Sequence, residues 1–205
     1  MKRLLPLCLP LLLLTACAIG PKEYPPVPDH VDYATAAPPE DGWTTRELMS
    51  MTYLCGQRLT WPQSVEGLGD AFEVTGYSRF LSRSRLVPGQ LCYRGTPLAN
   101  VTVVRPKKET MLYTFVLTPQ ICEVTEIEPF VINGVQMYDT MDDVAAALGE
   151  PDYRSEDAMR YDDRETGEDL YWFFFEDGEL IHVLLELRFD IDLPLYRDEA
   201  GKEAT

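Results

Sequence analysis

Residues 133–187, NGVQMYDTMDDVAAALGEPDYRSEDAMRYDDRETGEDLYWFFFEDGELIHVLLEL, decide the fold of this chain. Asn133-Gly134 predicts a tight turn, because both residue types tolerate the positive φ that such a turn needs. Thr140 precedes Asp143 by three residues, which is the spacing of a capping box at a helix start. The sequence therefore predicts a turn followed at once by a helix.

The predicted helix is short, and a long hairpin follows it. Its apolar residues recur with helical period, at Met141, Val144, Ala145 and Leu148. Gly149 supplies a C-terminal cap, and Pro151 prevents the helix from continuing. Beyond an acidic loop, Asp177-Gly178 stands between two apolar runs, which is a strong hairpin signal.

This pattern carries a family resemblance. Gly134, residues 140–144, residues 148–151, residues 171–175 and Asp177-Gly178 resemble the small α+β repeat of the SmpA/OmlA (BamE-like) lipoproteins. The pattern is also similar to the repeat of β-lactamase-inhibitor-like proteins and to uncharacterised lipoproteins of Gram-positive gut bacteria that carry two such units. The resemblance implies an α+β fold in which a helix packs on a hairpin. Through the BamE-like family it also implies a role in an envelope assembly complex. It rests on turns and core positions, which transfer function poorly.

The N-terminus predicts a lipoprotein signal peptide over residues 1–16. Lys2 and Arg3 precede an apolar run, and Leu14-Thr15-Ala16-Cys17 fits the lipobox. The run is shorter than the roughly 20 residues of a membrane-spanning helix, so we interpret it as cleaved. The resemblance to lipoproteins implies that Cys17 becomes the mature N-terminus and carries fatty acyl chains, which anchor a protein firmly. The alternative is an ordinary secretory signal with a chance cysteine.

The predicted location is the cell envelope, with the protein lipid-anchored on the extracytoplasmic side. Ala18 follows the acylated cysteine, so the family sorting rule implies the outer membrane in a Gram-negative host. In a Gram-positive host the anchor would lie in the plasma membrane.

Residues 17–42 are predicted to form a tether behind the acylated cysteine. They contain six prolines and no apolar period, and proline excludes helix interiors and inner strands. About 25 such residues reach at most about 80 Å when extended, and nearer 30 Å as a flexible chain. The alternative is a disordered tail without a role.

Charge excludes some partners. The 205 residues carry 34 acidic against 18 basic side chains, and the formal charge of −16 becomes −18 when Lys2 and Arg3 leave with the signal peptide. Such a surface repels nucleic acid phosphates and anionic lipid headgroups, so neither is expected as a direct ligand. With 45% hydrophobic residues, the chain can still bury a core.

The predicted fold class is α+β, with a mostly antiparallel sheet, short helices and one or two BamE-like helix-plus-hairpin repeats. Residues 129–197 form the C-terminal unit, and residues 198–205 a disordered tail. Residues 43–128 form an N-terminal α+β half, for which one interpretation is a degenerate repeat, because Cys55-Gly56 stands where Asn133-Gly134 stands later. Strands are predicted at 101–104, 112–117 and 121–127, and the short connections between strands exclude parallel crossovers.

The last hairpin offers one candidate docking surface. Alternation predicts that Ile181, Val183, Leu185 and Leu187 face the core. Residues 171–175, YWFFF, load both faces of a strand with aromatic rings, each of which buries about 150–250 Å² when packed. Either both faces are covered, or one row is a partner-binding surface made by Trp172 and Phe174.

No residue set predicts catalysis, a cofactor or a metal. The histidines are His30, in the tether, and His182, on a strand, and no nucleophile or phosphate-loop motif occurs. Cys55, Cys92 and Cys122 can form at most one disulfide, and buried free thiols are the preferred interpretation.

An acidic loop could suggest calcium, since carboxylates are suitable ligands. Arg164 and Thr166, however, occupy positions where the calcium-loop pattern needs Asp or Asn. We predict a solvated loop whose acidic residues are Asp152, Glu156, Asp157, Asp162, Asp163, Glu165, Glu168 and Asp169.

The sequence thus predicts a non-enzymatic, membrane-anchored lipoprotein that presents a protein-binding or scaffold domain. Its partners would be the membrane, through the lipid on Cys17, and a protein of the envelope. Two alternatives are an inhibitor-like module that caps an envelope enzyme and an envelope assembly factor of BamE type. A hydrolase with a pair of converging carboxylates is a third hypothesis, from another class.

Overall fold

The computed structural model describes residues 22–76, 86–104 and 109–187. Within these residues the protein is mostly β, with two antiparallel sheets, two short helices and one 3-10 turn. The predicted α+β fold built on helix-plus-hairpin repeats is therefore wrong. The prediction followed local signals, whereas the sheets arise from pairing between segments far apart in sequence, including part of the stretch predicted as an acidic loop.

The elements follow one another in two similar series. The first comprises α1 (Thr45–Met49), β1 (Thr52–Leu54), β2 (Gln57–Arg58), the 3-10 turn (Glu66–Leu68), β3 (Phe72–Thr75), β4 (Leu86–Tyr93), β5 (Thr96–Val104) and β6 (Leu112–Leu117). The second comprises β7 (Phe130–Ile132), β8 (Val135–Gln136), α2 (Met141–Leu148), β9 (Tyr153–Arg154), β10 (Ala158–Asp162), β11 (Asp169–Glu176) and β12 (Glu179–Glu186).

The two series are related by an approximate twofold arrangement. Each contains a tight hairpin, a helical segment and a four-stranded meander. The larger sheet has the order β3-β4-β5-β6-β12-β11-β10-β9, and the smaller has the order β2-β1-β7-β8. Each sheet is thus symmetric about its central pair, β6 with β12 and β1 with β7. The hairpin turns Cys55-Gly56 and Asn133-Gly134 also share positive φ at both residues.

Irregularities in the strand ladders repeat at matching places. The β5–β6 register shifts between Thr102 and Val103, and the β11–β12 register shifts between Phe174 and Phe175. The β4–β5 and β10–β11 ladders also shift at corresponding steps. A β-bulge changes the register of a ladder at a defined residue, so these shifts align residues 97–103 with residues 169–175. Trp172 therefore occupies the place of Asn100, and Phe174 that of Thr102.

The core lies between the inner face of the larger sheet and a layer made by the smaller sheet and the helices. From the larger sheet come Phe115, Tyr171 and Phe173, all fully buried. Facing them are buried residues of α1, β1, β7 and α2, among them Leu48, Met49, Leu54, Phe130, Val144 and Leu148. Burying such side chains contributes about 1.5–3 kcal/mol each.

The predicted start and end of α2 are confirmed. Thr140 Oγ1 accepts the Asp143 amide, the Asp143 side chain accepts from the Thr140 amide, and the Gly149 amide closes the last turn on the Ala145 carbonyl. The prediction for Ile181 is wrong, because the bulge beside Phe175 interrupts the alternation. Leu180 is fully buried and Ile181 only half-buried.

Residues 22–42, the described part of the predicted tether, contain neither helix nor strand and lie along the surface of the domain. We call this segment the strap. Its backbone binds the side chains of Tyr53 and Asn133, and Asp41 pairs with Arg164 at 2.7 Å. The prediction that these residues form an extended or flexible tether, tens of ångströms long, is therefore wrong for residues 22–42.

A buried hydrogen bond joins the two layers of the core. The hydroxyls of Thr52 and Tyr171 lie 2.6 Å apart, and Thr52 Oγ1 also lies 2.8 Å from the Leu48 carbonyl oxygen. The threonine has one proton and donates it to the carbonyl, so Tyr171 donates to Thr52.

We predict that Tyr171→Phe lowers the free energy of unfolding by about 1–2 kcal/mol, because it removes a buried hydrogen bond without removing the ring. Urea denaturation would measure the loss. Tyr138→Phe is the matched control, since Tyr138 is 59% exposed, and it should change stability by less than about 0.5 kcal/mol. Equal effects of the two substitutions would contradict the assignment.

Candidate functional site

A row of aromatic rings lies on the outer face of the larger sheet, in its second half. It consists of Tyr153 on β9, Trp172 and Phe174 on β11, and His182 on β12, and we call it the aromatic stripe. Tyr153 is 45% exposed, and the other three residues are half-buried. Trp172 and Phe174 face outward because their neighbours Tyr171, Phe173 and Phe175 occupy the inner face.

The rings of the aromatic stripe contact one another in sequence. Trp172 and Phe174 stack with ring centres 5.8 Å apart and an interplanar angle of 10°. Phe174 lies 4.7 Å from the His182 ring, and Trp172 lies 5.7 Å from the Tyr153 ring. Such ring pairs stabilise a sheet surface by about 0.5–1.5 kcal/mol each, so the stripe is a fixed surface.

Arg160 lies within the stripe, between Tyr153 and Trp172. Its guanidinium carbon is 5.4 Å from the Trp172 ring centre and 5.9 Å from that of Tyr153. Asp162 holds the guanidinium, with the Nε–Oδ1 pair at 2.7 Å and the Nη2–Oδ2 pair at 2.8 Å. The guanidinium of Arg160 therefore occupies part of the space around the Tyr153 and Trp172 rings.

His182 is an apolar member of the aromatic stripe. Its Nε2 atom is buried and has no hydrogen-bond partner among the described residues. Burial lowers the pKa of His182, so the ring is neutral at pH 7.

At the equivalent positions of the first half, the outer face of the sheet has polar residues instead of aromatic ones. Where β11 has Trp172 and Phe174, β5 has Asn100 and Thr102, and Asn100 is exposed. The inner positions stay apolar in both halves, as with Val101 and Phe173. The same backbone arrangement therefore forms without aromatic rings on its outer face.

The three cysteines in the described part of the chain are unpaired. Cys55 and Cys92 are buried, and Cys122 is half-buried. Burial raises the pKa of Cys55 and of Cys122, so little thiolate forms at neutral pH and neither sulfur is activated as a nucleophile.

The part of the acidic stretch that is a loop lies between β10 and β11, and it is built around the buried carboxylate of Asp163. Its Oδ1 accepts the amides of Glu165 and Thr166 at 2.8 Å, and its Oδ2 accepts the amide and hydroxyl of Thr45 at 2.5 Å. Burial alone would raise the pKa of Asp163, but these hydrogen bonds outweigh it and lower that pKa. Asp163 therefore fastens the loop to the start of α1. Residues 22–76, 86–104 and 109–187 contain no group of three side chains placed to hold a metal.

Several predicted residues lie elsewhere. Cys17 and the signal peptide are outside the described residues, and His30 lies in the strap, with its Nε2 2.8 Å from Oδ1 of Asp32. No helix in the described part of the chain is long and apolar enough to cross a membrane.

Comparison with protein-family models, with curated proteins and with solved structures gives no match to this chain.

The sequence analysis named Trp172 and Phe174 as candidates but did not include their neighbours Tyr153, Arg160 and His182. The pairs Tyr153–Arg160 and Arg160–Trp172 depend on β9 and β10, which lie in the stretch predicted as a loop. The alternation of buried Met159 and Tyr161 around Arg160 was the available signal for a strand there.

We predict that Asp163→Asn destabilises the fold by about 2 kcal/mol at pH 7, because an amide offers one acceptor oxygen where the carboxylate offered two. The pKa is lowered on folding, so the stabilisation is complete above the ordinary aspartate pKa and disappears as the pH falls through the folded-state value. The gap between the parent and variant should therefore close in acid. Urea titrations at several pH values would test this, with exposed Glu156→Gln as the control. A pH-independent gap would contradict the assignment.

Proposed function

We propose that this chain is a non-enzymatic lipoprotein, anchored through Cys17 on the extracytoplasmic side of a membrane, that binds a protein of the envelope through the aromatic stripe. The observation that carries the proposal is the difference between the halves. A fold that forms with Asn100 and Thr102 does not require Trp172 and Phe174 at the equivalent places. Large rings on an outer face without a folding need are typical of a binding surface.

The arrangement of the rings favours a protein over a sugar as the ligand. A sugar stacks on an open aromatic face, whereas here Phe174 is stacked beside Trp172, and Arg160 and Tyr153 approach the same indole ring. The half-buried rings and their half-buried aliphatic neighbours, such as Leu184 and Val116, suit apolar side chains. Trp, Tyr and Arg are also the residues that dominate binding energy at protein interfaces.

Charge specifies the partner further. Exposed carboxylates stand on the turns and strand ends next to the stripe, at Asp152, Glu156, Asp157 and Glu176. Opposite charge around an apolar contact steers association and selects partners. We therefore expect the partner to present an apolar segment flanked by lysine or arginine.

The lipid anchor places this surface in the envelope. The motif Leu14-Thr15-Ala16-Cys17 supports acylation at Cys17, and two or more acyl chains hold a protein on a membrane with slow release. An anchored protein meets membrane partners at a high local concentration, so modest affinity at the stripe is enough.

We predict that Trp172→Ser with Phe174→Ser abolishes partner binding and leaves the protein folded. The partner would be captured by chemical crosslinking in native envelopes, and folding measured by circular dichroism and urea denaturation. Recovery of the partner should also fall as salt is raised, because the flanking charges contribute.

Asn100→Ser with Thr102→Ser is the matched control, since these residues hold the equivalent positions of the first half. It should keep the partner. Unfolding of the 172/174 variant, or equal loss of the partner in both variants, would refute a binding role. Mass spectrometry of the mature N-terminus tests the anchor separately, and an unmodified Cys17 would refute it.

A further inference from the structure

The strap begins at one edge of the larger sheet. Lys22 Nζ lies 3.2 Å from Glu73 Oε2 on β3, the edge strand, and the Tyr24 hydroxyl lies 3.5 Å from Glu73 Oε1. Tyr24 also covers the β4–β5 turn, where a Cβ added at Gly95 would lie 3.2 Å from the tyrosine oxygen. The first described residues of the chain therefore sit at the corner formed by β3 and this turn.

The middle of the strap is held by buried partners. The Ala34 amide donates to the Tyr53 hydroxyl at 3.0 Å, and the Tyr33 and Tyr53 rings meet edge to face. The side chain of Asn133, 5% exposed, binds both the amide and the carbonyl of Ala36, at 2.7 and 2.9 Å. Because the side chains of Tyr53 and Asn133 are buried, leaving their polar groups without these hydrogen bonds would be costly.

The strap also passes close to tight turns of the domain. A Cβ added at Gly56 would lie 2.9 Å from Val31, and one at Gly149 would lie 3.0 Å from Pro38. Gly178, in a turn away from the strap, has nothing within 4 Å of the same position. Side chains at Gly56 and Gly149 would meet the strap, so the domain surface is fitted to it.

Docking of the strap leaves little chain between the lipid and the domain. Lys22 follows Cys17 by five residues, which span at most about 18 Å. The larger sheet extends away from the Lys22 corner, with β3 at one edge and β9 at the other. Five strand spacings separate β3 from β11, or about 24 Å, so the aromatic stripe lies far from the attachment point.

We propose that the β3 edge is the membrane-proximal surface of this protein and that the strap holds the aromatic stripe on the membrane-distal side. The formal charge of −18 on the mature chain opposes a flat arrangement on anionic lipid. The proposal rests on the proposed lipid anchor at Cys17, and it deepens that function by fixing the side from which a partner approaches.

The test uses the acylated full-length mature chain in vesicles of phosphatidylethanolamine and phosphatidylglycerol that contain a lipid with a nitroxide headgroup. A fluorophore is placed through an unnatural amino acid at Asp70, next to β3, or at Glu156, between β9 and β10, both exposed. Quenching by the nitroxide should be several-fold stronger at position 70 than at position 156. Equal quenching at the two positions would overturn the proposal.

Two further variants test whether the docked strap sets the orientation: one releases the strap, and the other is its control. Tyr33→Ser with Ala36→Pro removes the ring contact and the amide that Asn133 accepts, and the difference between positions 70 and 156 should shrink severalfold. Ala37→Pro is the control, since Ala37 is exposed and its amide makes no hydrogen bond within the described residues, and it should keep the difference. A released strap that left the quenching pattern unchanged would overturn the proposal.

Hydrogen exchange separates this proposal from the anchor. In the full chain with Cys17→Ser, the Ala36 amide should still exchange many-fold more slowly than the Ala37 amide. If mass spectrometry finds no acyl group on Cys17, the proposed membrane function and the membrane orientation fail together while strap docking survives. If Cys17 is acylated and Ala36 exchanges as fast as Ala37, the strap inference alone fails.

Discussion

Pairing of β6 with β12 makes one body of two halves. These strands end the two meanders of the chain, and their ladder runs through Phe115–Leu185 and Val116–Leu184. Without it, each half would expose the edge of a four-stranded sheet, with unpaired amides and carbonyls. The β1–β7 pair performs the same task in the smaller sheet, and the hydroxyls of Thr52 and Tyr171 join the two layers. Packing of the inner face then follows from these two central pairs.

The halves share a backbone and differ in what they show to solvent. Bulges at equivalent steps set the register in both, and inward positions are apolar in both. Outward positions are less constrained, so Asn100 and Thr102 can stand where the other half has Trp172 and Phe174. A duplicated arrangement of this kind preserves the fold through the inward residues and leaves the outward residues free to differ between the halves. The strap docks along one side of this body, away from the aromatic stripe.

The features that could be predicted correctly from the sequence are those determined by residues close to one another in the chain. Thr140, Asp143 and Gly149 determine the ends of α2 within a few residues, and Asp177-Gly178 determines a hairpin in the same way. Fold class depended on distant partners, because β9 and β10 lie in an acidic stretch whose only strand signal is the alternation around Arg160. The path of residues 22–42 along the domain could not be predicted from the sequence. Their proline content excludes helix and strand, but it does not show that Tyr53 and Asn133 bind the backbone of this segment. Trp172 and Phe174 were named from the sequence because five consecutive aromatic residues place rings on both faces of a strand. Tyr153 and His182 lie beside them through pairing between strands, which the sequence does not show.

We propose that the outer face of the second half binds a protein and that the equivalent face of the first half does not. Photocrosslinking in intact cells tests this most directly, with benzoylphenylalanine placed at Phe174 or, in a separate strain, at Thr102. We expect a protein adduct from position 174, with the crosslinked peptide apolar and flanked by lysine or arginine, and no such adduct from position 102. The same adducts from both positions, or none from position 174, would contradict it.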